Sequence, residues 1–265
     1  MNTEWVFYVT AICVGAVMGS FLNVVIHRGP VLWKLIDAPD RGNLAFPRSS
    51  CPTCGAVIRI WHLIPLVSYA MLRGKCAACG ARISPRYPLV ELVGVVSALV
   101  ALAVFGLTFS ALFAFVFFLF LLALGVIDFE TGFLPDALTI PLLVLGICAN
   151  SFGLFNATPG AAVLGAVIGY VAFRLIDIIF LRLRDVEGLG QGDAKLLAAI
   201  GAWLGWTALP PVVFLAAITA LIGVGAASLR GVKIKQDTPI PFGPALAAAG
   251  ALAMAAHGLR LPFFV

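Results

Sequence analysis

Eight long apolar runs constrain this chain more than any other feature. A bilayer asks for about 20 mainly apolar residues per spanning helix. Runs that reach or approach that length fall at about 5–26, 89–107, 109–127, 137–155, 160–181, 194–209, 211–229 and 241–258, with ends placed to about three residues. The 194–209 run is short and interrupted by glycine, which makes it the weakest of the eight. Hydrophobic residues make up 62% of the chain and charged residues 11%, too little polar surface to cover a soluble globule of this length. The expected fold class is an all-α polytopic membrane protein of about eight transmembrane helices.

The first run lacks the marks of a cleaved signal peptide. Glu4 precedes it, no Lys or Arg occurs before Arg28, and Arg28 follows it, so it reads as a retained helix with its N-terminus outside. Eight crossings from that start place 27–88, 128–136, 182–193 and 230–240 inside. These segments and the helix ends bordering them hold sixteen of the seventeen basic residues, Arg260 being the exception. That is the bias of the positive-inside rule. The net charge of +5 is then mainly a topology signal. The basic residues are dispersed, so nucleic acid is not an expected partner, whereas the lipid bilayer is.

Three parts follow: a first transmembrane helix (1–26), an Arg-, Pro- and Cys-rich cytoplasmic insertion (27–88) and a helix bundle (89–265). The insertion carries four of the six cysteines as two CxxC pairs, Cys51 with Cys54 and Cys76 with Cys79, separated by 21 residues. Such pairs suit tetrahedral zinc, each forming a turn whose following glycine, Gly55 or Gly80, lets the backbone bend towards the thiolates. Disulfides and a redox CxxC are the competing readings. A cytoplasmic loop disfavours the first, and the second needs one pair beside a βαβ pattern. Four protein ligands leave no open position, so the zinc would be structural. It would supply folding energy that a loop of low apolar content lacks. Cys13 and Cys148 read as packing residues.

An ionisable group within or beside a hydrocarbon span is costly and is a functional candidate by default. Asp128 closes the third run, Asp193 opens the sixth, Glu91 opens the second, and Asp177 lies one turn from Arg174 in the fifth. In the charge-derived topology Asp128 and Asp193 lie at the same, cytoplasmic depth. Two aspartates held a few ångströms apart share one proton, so one can take a proton from water while its partner polarises a scissile carbonyl. Gly188, Gly190 and Gly192 precede Asp193 at alternate positions. Without side chains they would let an extended substrate backbone approach the carboxylate. Asp193 is equally compatible with a helix N-cap, and Asp136 reads as the N-cap of the fourth helix. Asp177 with Arg174 reads as an internal ion pair. Glu91 is either interfacial or a bundle-facing substrate contact.

The segments "GSFLNVVIHR" (19–28), "ISPRYPLVEL" (83–92), "IDFETGFLPDALTIP" (127–141) and "GQGDAKLLAAIGAWLGW" (190–206), with the two CxxC pairs, span nearly the whole chain. Together they resemble the bacterial type IV prepilin peptidases, membrane aspartyl proteases of the GxGD type. The resemblance implies an inner-membrane endopeptidase that removes the basic leader of type IV prepilins and type II secretion pseudopilins at the cytoplasmic face. It maps the catalytic aspartates onto Asp128 and Asp193, and Gly190, Gly192 and Glu91 are the expected substrate contacts. It also implies N-methylation of the new N-terminus with S-adenosylmethionine as methyl donor. Two other classes remain open on residues alone. One is an ion-coupled transporter relaying protons through Asp128, Asp193 and Asp177. The other is a non-catalytic secretion assembly factor that docks through the zinc loop.

Overall fold

The structure, a computed structural model, describes residues 4–184, 190–230, 241–259 and 261. Gly188 of the glycine motif, Arg260, and Lys233 and Lys235 of the 230–240 segment lie outside these residues. Among the described residues the regular structure is helical, apart from two isolated antiparallel bridges. The chain divides into two compact units, Met1–Leu107 and Thr108–Val265.

The first unit pairs α1 (Glu4–Leu32) with α3 (Arg86–Phe105). Their backbones approach through small residues, as membrane helices do when lipid supplies no hydrophobic drive. A Cβ on Gly15 would come within 2.7 Å of the Gly94 carbonyl, and one on Gly19 within 2.7 Å of the Glu91 Cα. Between these helices the chain forms the cysteine loop, a short 3₁₀ turn (Ile60–Leu63) and α2 (Val67–Met71). Two basic residues do more than set topology. Arg28, buried at the end of α1, donates to the carbonyls of Asn43 and Pro47 at 2.7 Å each. Arg41 donates to the His27 carbonyl at 2.6 Å. The loop is thereby tied to the helix that precedes it.

The second unit contains α4 (Phe109–Thr131), α5 (Asp136–Ser151), α6 (Pro159–Arg184), α7 (Gln191–Leu204), α8 (Leu209–Leu229) and α9 (Gly243–Gly258). Helices stand at all eight expected positions. Five of them, α1, α3, α4, α6 and α8, are long and apolar enough to cross a membrane. The shortest, α7, has 14 residues, about 21 Å of rise against a hydrocarbon core of about 30 Å. It ends at Gly205, whose φ of 81° favours glycine, so the expected 194–209 run breaks earlier and α8 starts at Leu209.

The short helix is surrounded by its neighbours: α5, α6 and α9 all pack on it, and every residue from Leu196 to Leu204 is buried. Glycines bring α6 and α7 together, Gly165 against Gly201 and Gly169 against Leu197. Trp203 at its end is fully buried among Phe113, Phe117 and Phe155, and its indole N–H donates to the Leu142 carbonyl at 2.8 Å. A helix end buried in an apolar unit leaves orphan carbonyls. Here the Asn150 amide donates to the carbonyls of Ala202 and Trp203 at 2.9 and 3.0 Å. By contrast α8 has little buried surface and presents an apolar flank suited to lipid.

Candidate active site

Asp128 sits in the last turn of α4, and the chain ends that helix deliberately. Gly132 takes a left-handed conformation and donates its N–H to the Asp128 carbonyl at 2.8 Å, a common C-terminal cap. The Asp128 side chain turns inward and is buried. It meets the start of α9, where the Gly243 N–H donates to Asp128 Oδ2 at 3.0 Å. The first N–H groups of a helix have no partner within it and carry its positive dipole end, so they suit a carboxylate. A Cβ at 243 would lie 2.5 Å from Asp128 Oδ2, so a side chain there would push the carboxylate from this position. Close packing of Gly125 against Ala247 keeps α4 and α9 in this register.

Asp193 is the third residue of α7, not its cap. Gly190 is the N-cap residue, and its backbone N–H donates back to the Asp193 carboxylate, a half of the reciprocal arrangement that closes many helix starts. The side chain is buried, and it stands close enough to Asp128 for the two charges to interact. Helix α9 packs on both α4 and α7. Three helix termini therefore bring two carboxylates and a backbone donor to one place.

The glycines around Asp193 serve contacts that the sequence does not reveal. A Cβ at Gly190 would lie 3.3 Å from Asp193 Oδ2, and one at Gly192 would lie 2.8 Å from Leu134 Cβ. Asp136 is not an N-cap: Pro135 holds that position, and the Asp136 carboxylate pairs with Lys195 at 2.6 Å. Asp177 pairs with Arg174 at 2.7 Å, as its spacing suggests. Gly243 escaped the sequence analysis. Its signal is Gly-Pro at a helix start, with the proline in the first helical turn, where its missing N–H costs nothing.

In the first unit, Glu91 accepts from the Leu66 N–H at 2.8 Å and bonds Ser20. It thereby holds the loop residue that adopts a φ of 61°. Cys51, Cys54, Cys76 and Cys79 converge, with all four sulfurs within 4.8 Å of one another. The two halves match. In each, the first cysteine's N–H donates five residues ahead, to Ala56 or Ala81, and its carbonyl accepts from Gly55 or Gly80, both at φ 71°. Sulfurs bound tetrahedrally at about 2.3 Å stand about 3.8 Å apart, and Cys51 and Cys79 are separated by 3.9 Å. The N–H groups of Cys54 and Thr53 lower the Cys51 thiol to about 6. Although the Ala81 N–H favours its thiolate, the Cys54 thiol, burial and the remaining thiols push Cys79 up to about 11. Thiols this close cannot all ionise without a cation, so the donor set fits zinc. Cys13 and Cys148 are exposed on their helices.

Comparison with known proteins follows the same division. Residues 13–105 match the bacterial peptidase A24 N-terminal domain, and residues 115–225 match the type IV leader peptidase family. A prepilin leader peptidase/N-methyltransferase of Burkholderia pseudomallei (strain 1026b) is 48% identical over 258 residues, covering 91% of this chain and 82% of the relative. One from Stutzerimonas stutzeri is 44% identical over 263 residues, covering 94% and 90%. Another from Neisseria gonorrhoeae is 42% identical over 256 residues, covering 91% and 87%. No solved structure matches the chain significantly. With both halves matched and the likeness running through nearly all of its length, the chain belongs to the type IV leader peptidase family.

Proposed function

We propose that the protein is a multi-pass membrane aspartic endopeptidase that removes the leader of type IV prepilins and type II secretion pseudopilins, and N-methylates the residue it exposes. The relatives' name supports the substrate class and both activities. The observation that carries the catalytic assignment is the meeting of Asp128 and Asp193 at helix ends, with Gly243 donating to one of them.

In this reading the ionised member of the pair takes a proton from water, and the resulting hydroxyl attacks the scissile carbonyl carbon. The protonated member donates to the carbonyl oxygen, so no full negative charge develops there. Collapse of the tetrahedral intermediate breaks the C–N bond: one of its hydroxyls returns a proton to the pair as the carbonyl re-forms, and the leaving nitrogen takes a proton from the pair, which ends with a single shared proton. The Gly243 and Gly190 N–H groups hold the two carboxylates in place through the cycle. Burial keeps competing water away and strengthens each contact. The chemistry sits at the polar boundary of an apolar bundle, which suits a substrate whose apolar segment stays in the membrane. In the proposed topology the N-terminus is outside, the protein lies in the inner membrane and cleavage occurs at the cytoplasmic face. Carboxylates at helix ends also suit proteolysis better than a proton relay across the bilayer.

Zinc bound by the four cysteines would fix the loop of the first unit. With four protein ligands it has no place in hydrolysis. S-adenosylmethionine would supply the methyl group. In the first unit Asn23 Oδ1 is a buried acceptor without a hydrogen-bond partner, but one acceptor does not make a nucleoside cradle. The decisive experiment is cleavage of a purified prepilin in detergent by the native protein and by Asp128→Asn and Asp193→Asn separately. Loss of cleavage in both, with zinc content and helicity unchanged, is the expected result; activity in either removes that residue from the mechanism.

A further inference from the structure

The linker that leaves Asp128 comes back to grip the helix that carries Asp193. Seven residues separate Asp128 from Asp136, and one of them, Leu134, together with Asp136 itself makes two contacts to the start of α7. Leu134 occupies the space that a side chain at Gly192 would need. Two residues later, the Asp136 carboxylate meets the Lys195 ammonium at 2.6 Å. These contacts flank Asp193 on both sides, one residue before it and two after. We propose that Asp136 and Lys195 are positioning residues for cleavage, a clasp that sets the rotation and height of α7 and so the separation of the two catalytic aspartates. The proposal rests on the reading of Asp128 and Asp193 as the cleaving pair.

Energetics separate this role from a structural one. The pair is solvent-accessible, with Lys195 35% and Asp136 55% exposed, and exposed ion pairs add little to stability. The fold has a stronger fastening between the same two helices at their other ends. There Trp203 bonds Leu142, and Asn150 bonds Ala202 and Trp203. α7 is therefore pinned at Trp203 by buried bonds and along its length by α6, and Leu134 and the ion pair tie its Asp193 end to the linker that leaves Asp128. Successive residues on a helix are about 100° apart, so Lys195 projects from a different side than Asp193 and resists its rotation. A displacement of about 1 Å at a reacting group can cost about 10²-fold in rate. Loss of the pair should thus reduce turnover far more than it reduces stability.

The test is steady-state cleavage of a purified prepilin by full-length Asp136→Asn, Lys195→Gln, the double variant, and the conservative pair Asp136→Glu and Lys195→Arg, with Asp193→Asn alongside. The expected result is a kcat fall of about 10-fold or more in either neutral variant, with KM within about threefold and Tm nearly unchanged. The double variant should be no slower than the worse single one, because both remove the same contact. The conservative pair should recover most of the loss. Neutral variants with more than half of native kcat, or losses that multiply in the double variant, overturn the clasp while leaving the aspartate pair in place. An active Asp193→Asn overturns the catalytic reading itself, and the clasp with it.

Discussion

Cys51 and Cys54 reach the four-cysteine cluster from one tight turn and Cys76 and Cys79 from another, whereas Asp128, Asp193 and Gly243 come from the ends of three separate helices. Each cysteine turn is built from contacts within about five residues: a cysteine N–H to the following alanine carbonyl, a glycine N–H back to the cysteine carbonyl. The Gly243 bond to Asp128 spans 115 residues and the Lys195 bond to Asp136 spans 59. A metal ion can gather two preformed turns and supply the energy to fix them. The aspartates come from no such turns; packing of α4, α7 and α9 holds them, against the repulsion that burial makes stronger. One centre is thus locally encoded and the other depends on the whole second unit.

The largest effect that could break this comparison belongs to the carboxylates. Asp128→Asn and Asp193→Asn should each lower prepilin cleavage by about 10³-fold or more, the scale of a lost general acid or base. Single-turnover cleavage of a labelled prepilin measures it. Their double variant should be little worse than either, because the pair works as one unit.

Next comes the backbone donor. Gly243→Val places a branched side chain where a Cβ alone lies 2.5 Å from Asp128 Oδ2, and should lower kcat by about 10²-fold. A control is available in α8, where a Cβ at Gly223 meets nothing within 4 Å. Gly223→Ala should leave cleavage unchanged, since a helix gains slightly from the exchange. Equal losses at both positions would show general helix disruption and remove Gly243 from the site.

Zinc removal should act on one unit alone. Cys54→Ser or a strong chelator should abolish the approximately 1:1 zinc content expected of a four-thiolate site, expose residues 33–85 to protease and reduce cleavage by about 10-fold. Both changes should leave the melting of the helix bundle in place. Acid should do the same. Zinc requires thiolates, and the N–H groups of Cys54 and Thr53 already lower the Cys51 thiol to about 6. Metal is therefore held at neutral pH and released as the pH is lowered and the thiols take up protons. Zinc content measured after dialysis across that range checks the sign.

The same contrast explains what was legible beforehand. The eight helix positions followed from apolar length, and the convergence of the four cysteines from spacing, because both signals are local. Asp128 and Asp193 stood out because charge is rare in such a chain. Gly243 did not, because it acts through a backbone N–H that nearly every residue has. The Asp136–Lys195 pair was equally hidden: an aspartate beside a proline at a helix start looks like a cap until its distant partner is known. The short central helix, α7, was the weakest span in the sequence for a physical reason. Protein surrounds it on three sides, so it needs neither full bilayer length nor an unbroken apolar run.

Glu91 gives the smallest expected effect and the finest discrimination. Its residue type suggests a contact for a basic leader, and its surroundings suggest a brace, since its carboxylate is engaged by the Leu66 N–H and by Ser20. Gln keeps the size of the side chain and an acceptor oxygen but loses the charge; Ala loses all three. If the brace dominates, Glu91→Gln should cleave within about threefold of native, and Glu91→Ala should lose about 1–3 kcal/mol of stability in the first unit by leaving the Leu66 N–H without its partner. If a leader charge is read there, Gln should raise KM by at least about tenfold with kcat unchanged, the sign of lost substrate binding. The bond to Leu66 crosses 25 residues, between the range of the cysteine turns and that of the aspartate site. A brace at Glu91 would make the first unit depend on helix packing as well as on zinc, so that its α1–α3 pair and its metal loop fold as one element.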